Sequence, residues 1–380
     1  SVNLGVDSSR NRMTLVGPQP LPANFNPINN DYLVGLRASY EVDLWGRYRQ
    51  GADAARNELL ATRYGQETVR TAVAAETARS YFALLAADVE LALLRDTLQS
   101  RDETVTLQRD LYEAGVIGDY DLQRAQAERA AVAANVAVAE RAVGTYESAL
   151  AAILGRSPRA VFDPQIARDA TQVRLLGVPE VASGLPSDLL ERRPDVRQAE
   201  AQLAAASLRI DAARAQYFPS LALTASYGSE SAALANLFST AGLAWGIGAS
   251  LLQPIVGLQA IEASVEAETA RREAAVVSYV QTVQTAFRET HDALLANRTT
   301  REALAAQAER ARKLEVSLEL AELRYRSGYS AYIDVLDAQR QLLQAQTLQI
   351  LAARDVRFAL IDLAKAMGGG WNYQAGMASQ

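Results

Sequence analysis

The chain contains no cysteine and only one histidine among its 380 residues. The first absence excludes disulfides and thiolate metal sites, and the second excludes a histidine cluster. Proline is missing from two long stretches, 46–153 and 255–380, which leaves both free to run as long helices. Aromatic residues make up only 7%. Ala, Leu, Glu, Arg and Gln dominate instead, as in coiled coils rather than in globular α/β enzymes. No run of eighteen apolar residues occurs, so no helix is written to cross a bilayer. The formal charge is −6 and there is no long basic run, which argues against a nucleic-acid partner, because neutralising phosphates takes clustered Lys and Arg. A cysteine-free chain is compatible with an envelope location.

What is present is a tandem repeat. Tyr112, Gly115, Asp121, Ala125 and Gln126 are answered by Tyr325, Gly328, Asp334, Ala338 and Gln339 at one offset (328 − 115 = 213). In both copies a long helical pattern runs into the glycine, where a helix C-terminus favours a residue free to take positive φ. Asp119 or Ser330 is the expected cap of the next helix. Each copy therefore reads as a helical hairpin with its tip near 113–120 or 326–332.

Ahead of each hairpin the hydrophobic period changes to two. Val2, Leu4 and Val6 alternate with Asn3, Gly5 and Asp7, and a clearer set runs from Tyr32 through Val34, Leu36, Ala38, Tyr40 and Val42 to Leu44. About thirteen residues at 3.3 Å each give roughly 43 Å of strand, long for a soluble sheet. Leu221, Leu223, Ala225 and Tyr227, then Leu243, Trp245, Ile247, Ala249 and Leu251, repeat the pattern in the second copy. Between and after these, helical spacing runs from about Arg49 to Glu113, some 65 residues or about 95 Å. It resumes over 119–154, from about Leu258 to Arg326, and from about Ala331 to Met367.

The expected organisation is a first repeat over 1–155, made of a β-hairpin (1–45) and a helical hairpin (46–155). A proline- and glycine-bearing connector follows at 156–186, then a second repeat over 187–380. The second repeat holds a helix (187–217), a β-hairpin (218–253), a helical hairpin (255–367) and a tail. Repeat one has no counterpart of the helix at 187–216, so a natural N-terminus with a signal peptide and that helix is expected upstream of Ser1.

Four strands with one apolar and one polar face leave open sheet edges. Two solutions exist: a soluble sandwich that packs the apolar face inward, or a membrane barrel closed between copies of the chain, since an open edge is forbidden in lipid. Strand length, Tyr32, Trp45 and Tyr227 near strand ends, and polar loops favour the barrel.

The sequence resembles the outer-membrane factor family of TolC-like and OprM-like efflux channels. The resemblance rests on Tyr40-Glu-Val-Asp-Leu-Trp-Gly-Arg47, Leu185-Pro-Ser-Asp-Leu-Leu-Glu-Arg-Arg-Pro-Asp195, Ala213-Arg-Ala-Gln-Tyr-Phe-Pro-Ser220, Arg324-Tyr-Arg-Ser-Gly328, Asp334-Val-Leu-Asp-Ala-Gln-Arg340 and Gly368-Gly-Gly-Trp371. The likeness is nearest to the lipoprotein channels that serve pumps of the resistance-nodulation-division type. It implies a mostly α fold with membrane β: a homotrimer with a twelve-stranded β-barrel and an α-helical barrel of long antiparallel coiled-coil helices. It also implies a passive export channel for drugs or other small molecules, gated at its periplasmic end. The implied partners are a periplasmic adaptor (membrane fusion protein), an inner-membrane pump and outer-membrane lipid. A lipid anchor near the natural N-terminus is a further implication. The alternative from another class is a soluble, elongated periplasmic coiled-coil scaffold.

No catalytic constellation stands out. His291 is alone between Glu289 and Asp292, and Gly368-Gly-Gly370 follows a helix without a phosphate-loop lysine. Asp334 and Asp337 share a helix face with Arg340 one turn on, which by itself reads as an ordinary charged face. The resemblance implies that these residues form a periplasmic gate, with Ile333 as its apolar layer and Asp121 and Arg124 at the matching place in repeat one. It further implies that the tips, Gly115, Val116 and Gly118 with Gly328, Tyr329 and Ser330, receive the adaptor. Val34, Leu36, Tyr40, Val42, Leu44, Leu243, Trp245, Ile247 and Leu251 are the expected lipid-facing set.

Overall fold

The computed structural model describes residues 1–14, 26–157, 159, 166 and 192–369. Most of the expected 156–186 connector, the start of the helix expected from 187, part of the Leu185–Asp195 motif, and Gly370 and Trp371 lie outside the described residues. The fold is mostly helical with one antiparallel sheet. In order the elements are β1 (Val2–Arg12), β2 (Ile28–Val42), α1 (Arg47–Glu113), α2 (Asp119–Ile153), α3 (Pro194–Arg214), β3 (Ser220–Ser231), β4 (Leu243–Leu252), α4 (Leu258–Arg326) and α5 (Tyr332–Ala366).

The chain divides into two compact units. The first comprises Ser1–Ala61 and Glu200–Ser278 and carries the sheet, in the order β1-β2-β3-β4. The two hairpins, one from each repeat, join through β2 and β3, so β1 and β4 are edges that pair with no other described strand. Directly opposed residues of an antiparallel pair point to the same side. The register therefore lines up Val6-Val34-Ser229-Leu243, Leu4-Leu36-Tyr227-Trp245 and Val2-Ala38-Ala225-Ile247 across all four strands on one face. Tyr40-Leu223-Ala249 and Val42-Leu221-Leu251 continue it. The opposite face carries Asn3-Arg37-Ser226-Gly246, Gly5-Gly35-Gly228-Ala244, Ser39-Thr224-Gly248 and Glu41-Ala222-Ser250. At its centre β2 and β3 approach so closely that a Cβ on Gly228 would collide with Val34 O and the Cα of Gly35. Only glycine fits there.

Beyond Val42 the chain turns into α1. Trp45 stacks on Phe218 at 4.5 Å and donates from Nε1 to Pro219 O at 2.9 Å, tying the end of one hairpin to the start of the other. Leu44, expected on the strand, lies past its end in this turn, where its N–H bonds Val42 O.

The second unit comprises Thr62–Ala199 and Tyr279–Gln380. Leu84, Ala87, Leu91 and Leu94 of α1 pack on Ala139, Val143 and Leu150 of α2, with Leu343 of α5 against them. Arg79 clamps Asp362 of α5 through both carboxylate oxygens at 2.5 and 2.7 Å. Arg193, buried just before α3, bonds Asp195, Glu289 of α4 and the carbonyl of Ala366 at the end of α5. Four helices here end alike. At Gly115, Gly155, Gly328 and Gly368 φ is positive, and the residue after each glycine donates to the carbonyl five positions back, as in Val116 N to Leu111 O and Tyr329 N to Arg324 O. Gly155 and Gly368 are again 213 apart (368 − 155), so the repeat is kept in its helix stops as well as in its tips.

The helix starts differ from the expectation. Asp119 is the first residue of α2, not its cap; the cap is Gly118, without a side-chain hydrogen bond, and Asp119 accepts from Gln123 Nε2 at 3.2 Å. Ala331 precedes α5, again without a side-chain bond, and Ser330 Oγ is buried with no partner. Where the preceding turn already positions the first N–H groups, as in Asp121 N to Gly118 O and Asp334 N to Ala331 O, no side-chain cap is needed.

Candidate functional site

The hairpin tips of the second unit form one candidate site. Close to the two glycine turns, Ala125 of α2 and Tyr332, Val335 and Leu336 of α5 are buried together, with Val105 of α1 and Leu318, Ala321 and Tyr325 of α4 packed on them. All four long helices thus meet in one apolar plug. Around it the polar groups divide into exposed and buried sets.

Asp334 and Asp337 are exposed on α5 and Ile333 is half-buried. Asp334 makes no side-chain bond to any described residue. Asp337 reaches Arg340 only at 3.5 Å. Arg340 instead engages α2: its Nε donates to Glu128 Oε2 at 2.9 Å, and a second guanidinium nitrogen donates to Oε1. The hydrogen bonds from Arg340 hold the Glu128 carboxyl below the usual carboxylate range, and Glu128 in turn raises Arg340. In repeat one Asp121 and Arg124 do not pair. Arg124 lies over the Tyr120 ring at 5.4 Å and donates to its hydroxyl at 3.0 Å.

The buried set is the surprise. Arg101 of α1 is 4% exposed, Nε has no partner, and its guanidinium makes no hydrogen bond or ion pair with any described residue. Burial lowers its pKa, opposed by Tyr332 and Glu128 nearby. Gln108 is 1% exposed and donates weakly to the Tyr325 hydroxyl at 3.4 Å. The Tyr332 hydroxyl is buried without a partner, and burial pushes its pKa up to about 12. Glu128 and Arg101 were both absent from the expected site. Glu128 has no trace in the repeat, since Gln341 stands 213 positions later, but Arg101 and Gln108 left a signal. They continue the seven-residue spacing of Leu94, where the second repeat has Leu314 and Ala321, so two polar residues interrupt an apolar seam.

The expected tip residues are exposed apart from Ser330, which is half-buried. Val116 and Tyr329, each just after its glycine, project freely, and Gly115, Gly118, Gly328 and Ser330 complete the two turns. The second candidate surface is the apolar sheet face. The register brings Val34, Leu36, Tyr40, Val42, Leu243, Trp245, Ile247 and Leu251 to one side, with Leu44 beyond it. Trp245, Ile247 and Leu251 are more than two-thirds exposed, so this part of the face is covered by none of the described residues. An apolar face with a small, polar reverse side is what a strand set needs between hydrocarbon and an aqueous lumen.

A family model described as outer membrane efflux protein matches residues 1–156 and 185–369. The chain belongs to the outer membrane efflux protein family. It is 34% identical over 368 residues to the probable efflux pump outer membrane protein TtgC of Pseudomonas putida, covering 95% of this chain and 75% of that one. To the outer membrane protein OprJ of Pseudomonas aeruginosa it is 35% identical over 354 residues, 92% and 72% of the two chains. The open state of the MtrE outer membrane channel of Neisseria gonorrhoeae superposes with a TM-score of 0.84 at 31% identity, over 97% of this chain and 80% of that one. Membership places the chain in the outer membrane, extending into the periplasm, as a component of efflux. It rules out the soluble coiled-coil scaffold.

Proposed function

We propose that three copies of this chain close a single twelve-stranded barrel and line one periplasmic tunnel, making a passive exit duct for small molecules. The observation that carries this is the sheet: one face largely apolar and, among the described residues, unpartnered, with both edges, β1 and β4, open. In lipid each unpaired edge group costs several kcal/mol, so the edges must pair, and four strands are too few to close on themselves. Pairing β1 of one copy with β4 of the next satisfies every edge. The Arg37 and Ser226 face then lines the lumen and the Leu36 and Trp245 face meets lipid.

The helical hairpins supply the gate. Three-fold symmetry brings three copies of Ile333, Asp334, Asp337 and Arg340 around one axis, with Asp121 and Arg124 from repeat one beside them. Asp334 and Asp337 are exposed, and among the described residues only Asp337 has a side-chain partner, Arg340 at 3.5 Å, which leaves their charge available to a ring that favours cations. Opening requires α5 to move from α2, and the Arg340–Glu128 contact resists that movement. The exposed tips are the docking points for a periplasmic adaptor, which connects the duct to an inner-membrane pump of the resistance-nodulation-division type. Substrate choice then lies with the pump, and the duct performs no catalysis. Deleting the gene and complementing it tests the reading: drug susceptibility should rise and be restored, and the purified protein should conduct in planar bilayers. A protein that restores resistance without conducting would contradict it.

A further inference from the structure

The charged residues at the hairpin end of the sheet are sorted by sign. On the side of β1 that carries Val2, Leu4 and Val6, the next outward positions are Ser8, Arg10 and Arg12. Asp7, opposite Leu33 and in line with Glu230, and Asp31, opposite Ser9, all lie on the other face. Arg10 faces Asn30 and Arg12 faces Ile28, so neither has a carboxylate across from it. Both arginines are exposed, and neither makes a hydrogen bond or ion pair with any described residue. Residues 13–30 contain no Asp or Glu at all. Two cations at the upper end of an apolar face, with every nearby acid on the reverse side, lack an anionic partner among the described residues.

Their depth decides which anion. From Val42 to Val34, the apolar rows span eight residues, about 26 Å along the strand at 3.3 Å each. With barrel strands tilted about 40° this is about 20 Å of height, inside an apolar band of about 25 Å. Asn30, opposite Arg10, lies four residues further, about 30 Å above Val42 on the same reckoning, just outside the hydrocarbon. The strands continue into helices at their other end, so the hairpin end faces outward. The outer leaflet at that depth carries phosphorylated glycolipid. Arginine is the side chain suited to a phosphate, through two parallel N–H donors, and residues two apart on a strand present their guanidinium groups about 7 Å from each other on one side.

We propose that Arg10 and Arg12 form a binding site for the phosphate groups of an outer-leaflet glycolipid. This rests on the lipid-facing assignment of the Leu36 face made above. The site fixes the height of the barrel in the membrane at the point where the apolar rows end, and one lipid per chain sits against β1 next to its edge.

The test uses the full-length assembled protein, its Arg10→Gln/Arg12→Gln variant, and lipid A carrying two phosphates, with dephosphorylated lipid A and inorganic phosphate as comparison probes. Native mass spectrometry after detergent exchange should show the wild type retaining the diphosphorylated lipid at least tenfold better than the dephosphorylated one. The variant should lose that preference and still assemble. Equal retention by variant and wild type overturns the proposal, and so does displacement of the lipid by inorganic phosphate at equal concentration. The two assignments fail differently. If the site is wrong but the face is right, the variant keeps both its lipid retention and its ion selectivity, and Leu36→Arg blocks assembly. If the face itself is reversed, Leu36→Arg assembles normally and Arg10→Gln/Arg12→Gln shifts ion selectivity instead.

Discussion

Arg340 of α5 grips both carboxylate oxygens of Glu128 on α2, a direct polar tie between a helix of repeat two and one of repeat one. The Arg340 side chain is half exposed, so one such pair is worth about 1 kcal/mol. In the proposed trimer, three such pairs acting together would make about 3 kcal/mol, enough to move a closed–open equilibrium by on the order of a hundredfold.

Arg340→Ala should therefore raise the closed-state conductance in planar bilayers, and Glu128→Gln should do the same at neutral pH. The sign of the pH dependence follows from Glu128. Its carboxyl is depressed in the folded protein, so the contact contributes fully above the ordinary carboxylate value of 4.5 and is lost only as pH falls below it. Wild type should thus close stably between pH 5 and 8 and leak in strong acid. Glu128→Gln should show no such acid step. A wild-type acid step preserved in Glu128→Gln would assign the latch to another group.

Removing the exposed aspartates tests selectivity apart from closure. Asp334→Ala with Asp337→Ala should lower the preference for cations over anions and weaken block by divalent cations. Glu262→Ala, on α4 in the other compact unit, should leave both unchanged. Unaltered selectivity in the double variant would mean that these carboxylates line no constriction.

Arg101 offers a stability prediction. A buried guanidinium without a partner costs more than it returns, and replacing buried charge with an apolar residue of similar length is commonly neutral or stabilising. Arg101→Met should stabilise the second unit by about 1 to 3 kcal/mol, seen as a higher thermal midpoint in detergent. Arg193→Met, which loses bonds to Asp195, Glu289 and Ala366 O, should lower it by about 1.5 to 3 kcal/mol. Arg101 and Arg193 thus give opposite signs, and a loss at both would show that Arg101 is paired in the assembled protein.

On the sheet, Leu36→Arg should cost about 2 to 4 kcal/mol near the bilayer midplane and reduce assembly, while Ser39→Arg on the reverse face should be tolerated. The opposite ranking in a heat-resistance assay on gels would reverse the faces.

The sequence made these surfaces legible to different degrees. The two-residue alternation from Tyr32 located β2, although the strand begins earlier, at Ile28. Its early residues Asn29, Asn30 and Asp31 are polar on both sides, and only pairing with Asn11, Arg10 and Ser9 of β1 reveals them as strand. The glycine tips were legible because positive φ has few alternative residues. The expected caps at Asp119 and Ser330 failed, because turn hydrogen bonds already serve the helix starts. Glu128 was hidden because its role depends on how α2 faces α5, a tertiary fact with no local pattern. Arg101 and Gln108 could have been found, since each breaks an apolar seven-residue seam.

The most direct measurement of the central claim exploits the missing cysteines. Single cysteines placed at Asn3 on β1 and at Ala244, Gly246 or Gly248 on β4, on the same sheet face, have no native thiol to compete with them. If β1 of each copy pairs with β4 of the next, oxidation of at least one of the three combinations in membranes should give covalent dimer and trimer and nothing larger on a non-reducing gel. Monomer alone in every combination, or a ladder that continues past three, would contradict a barrel closed by three chains.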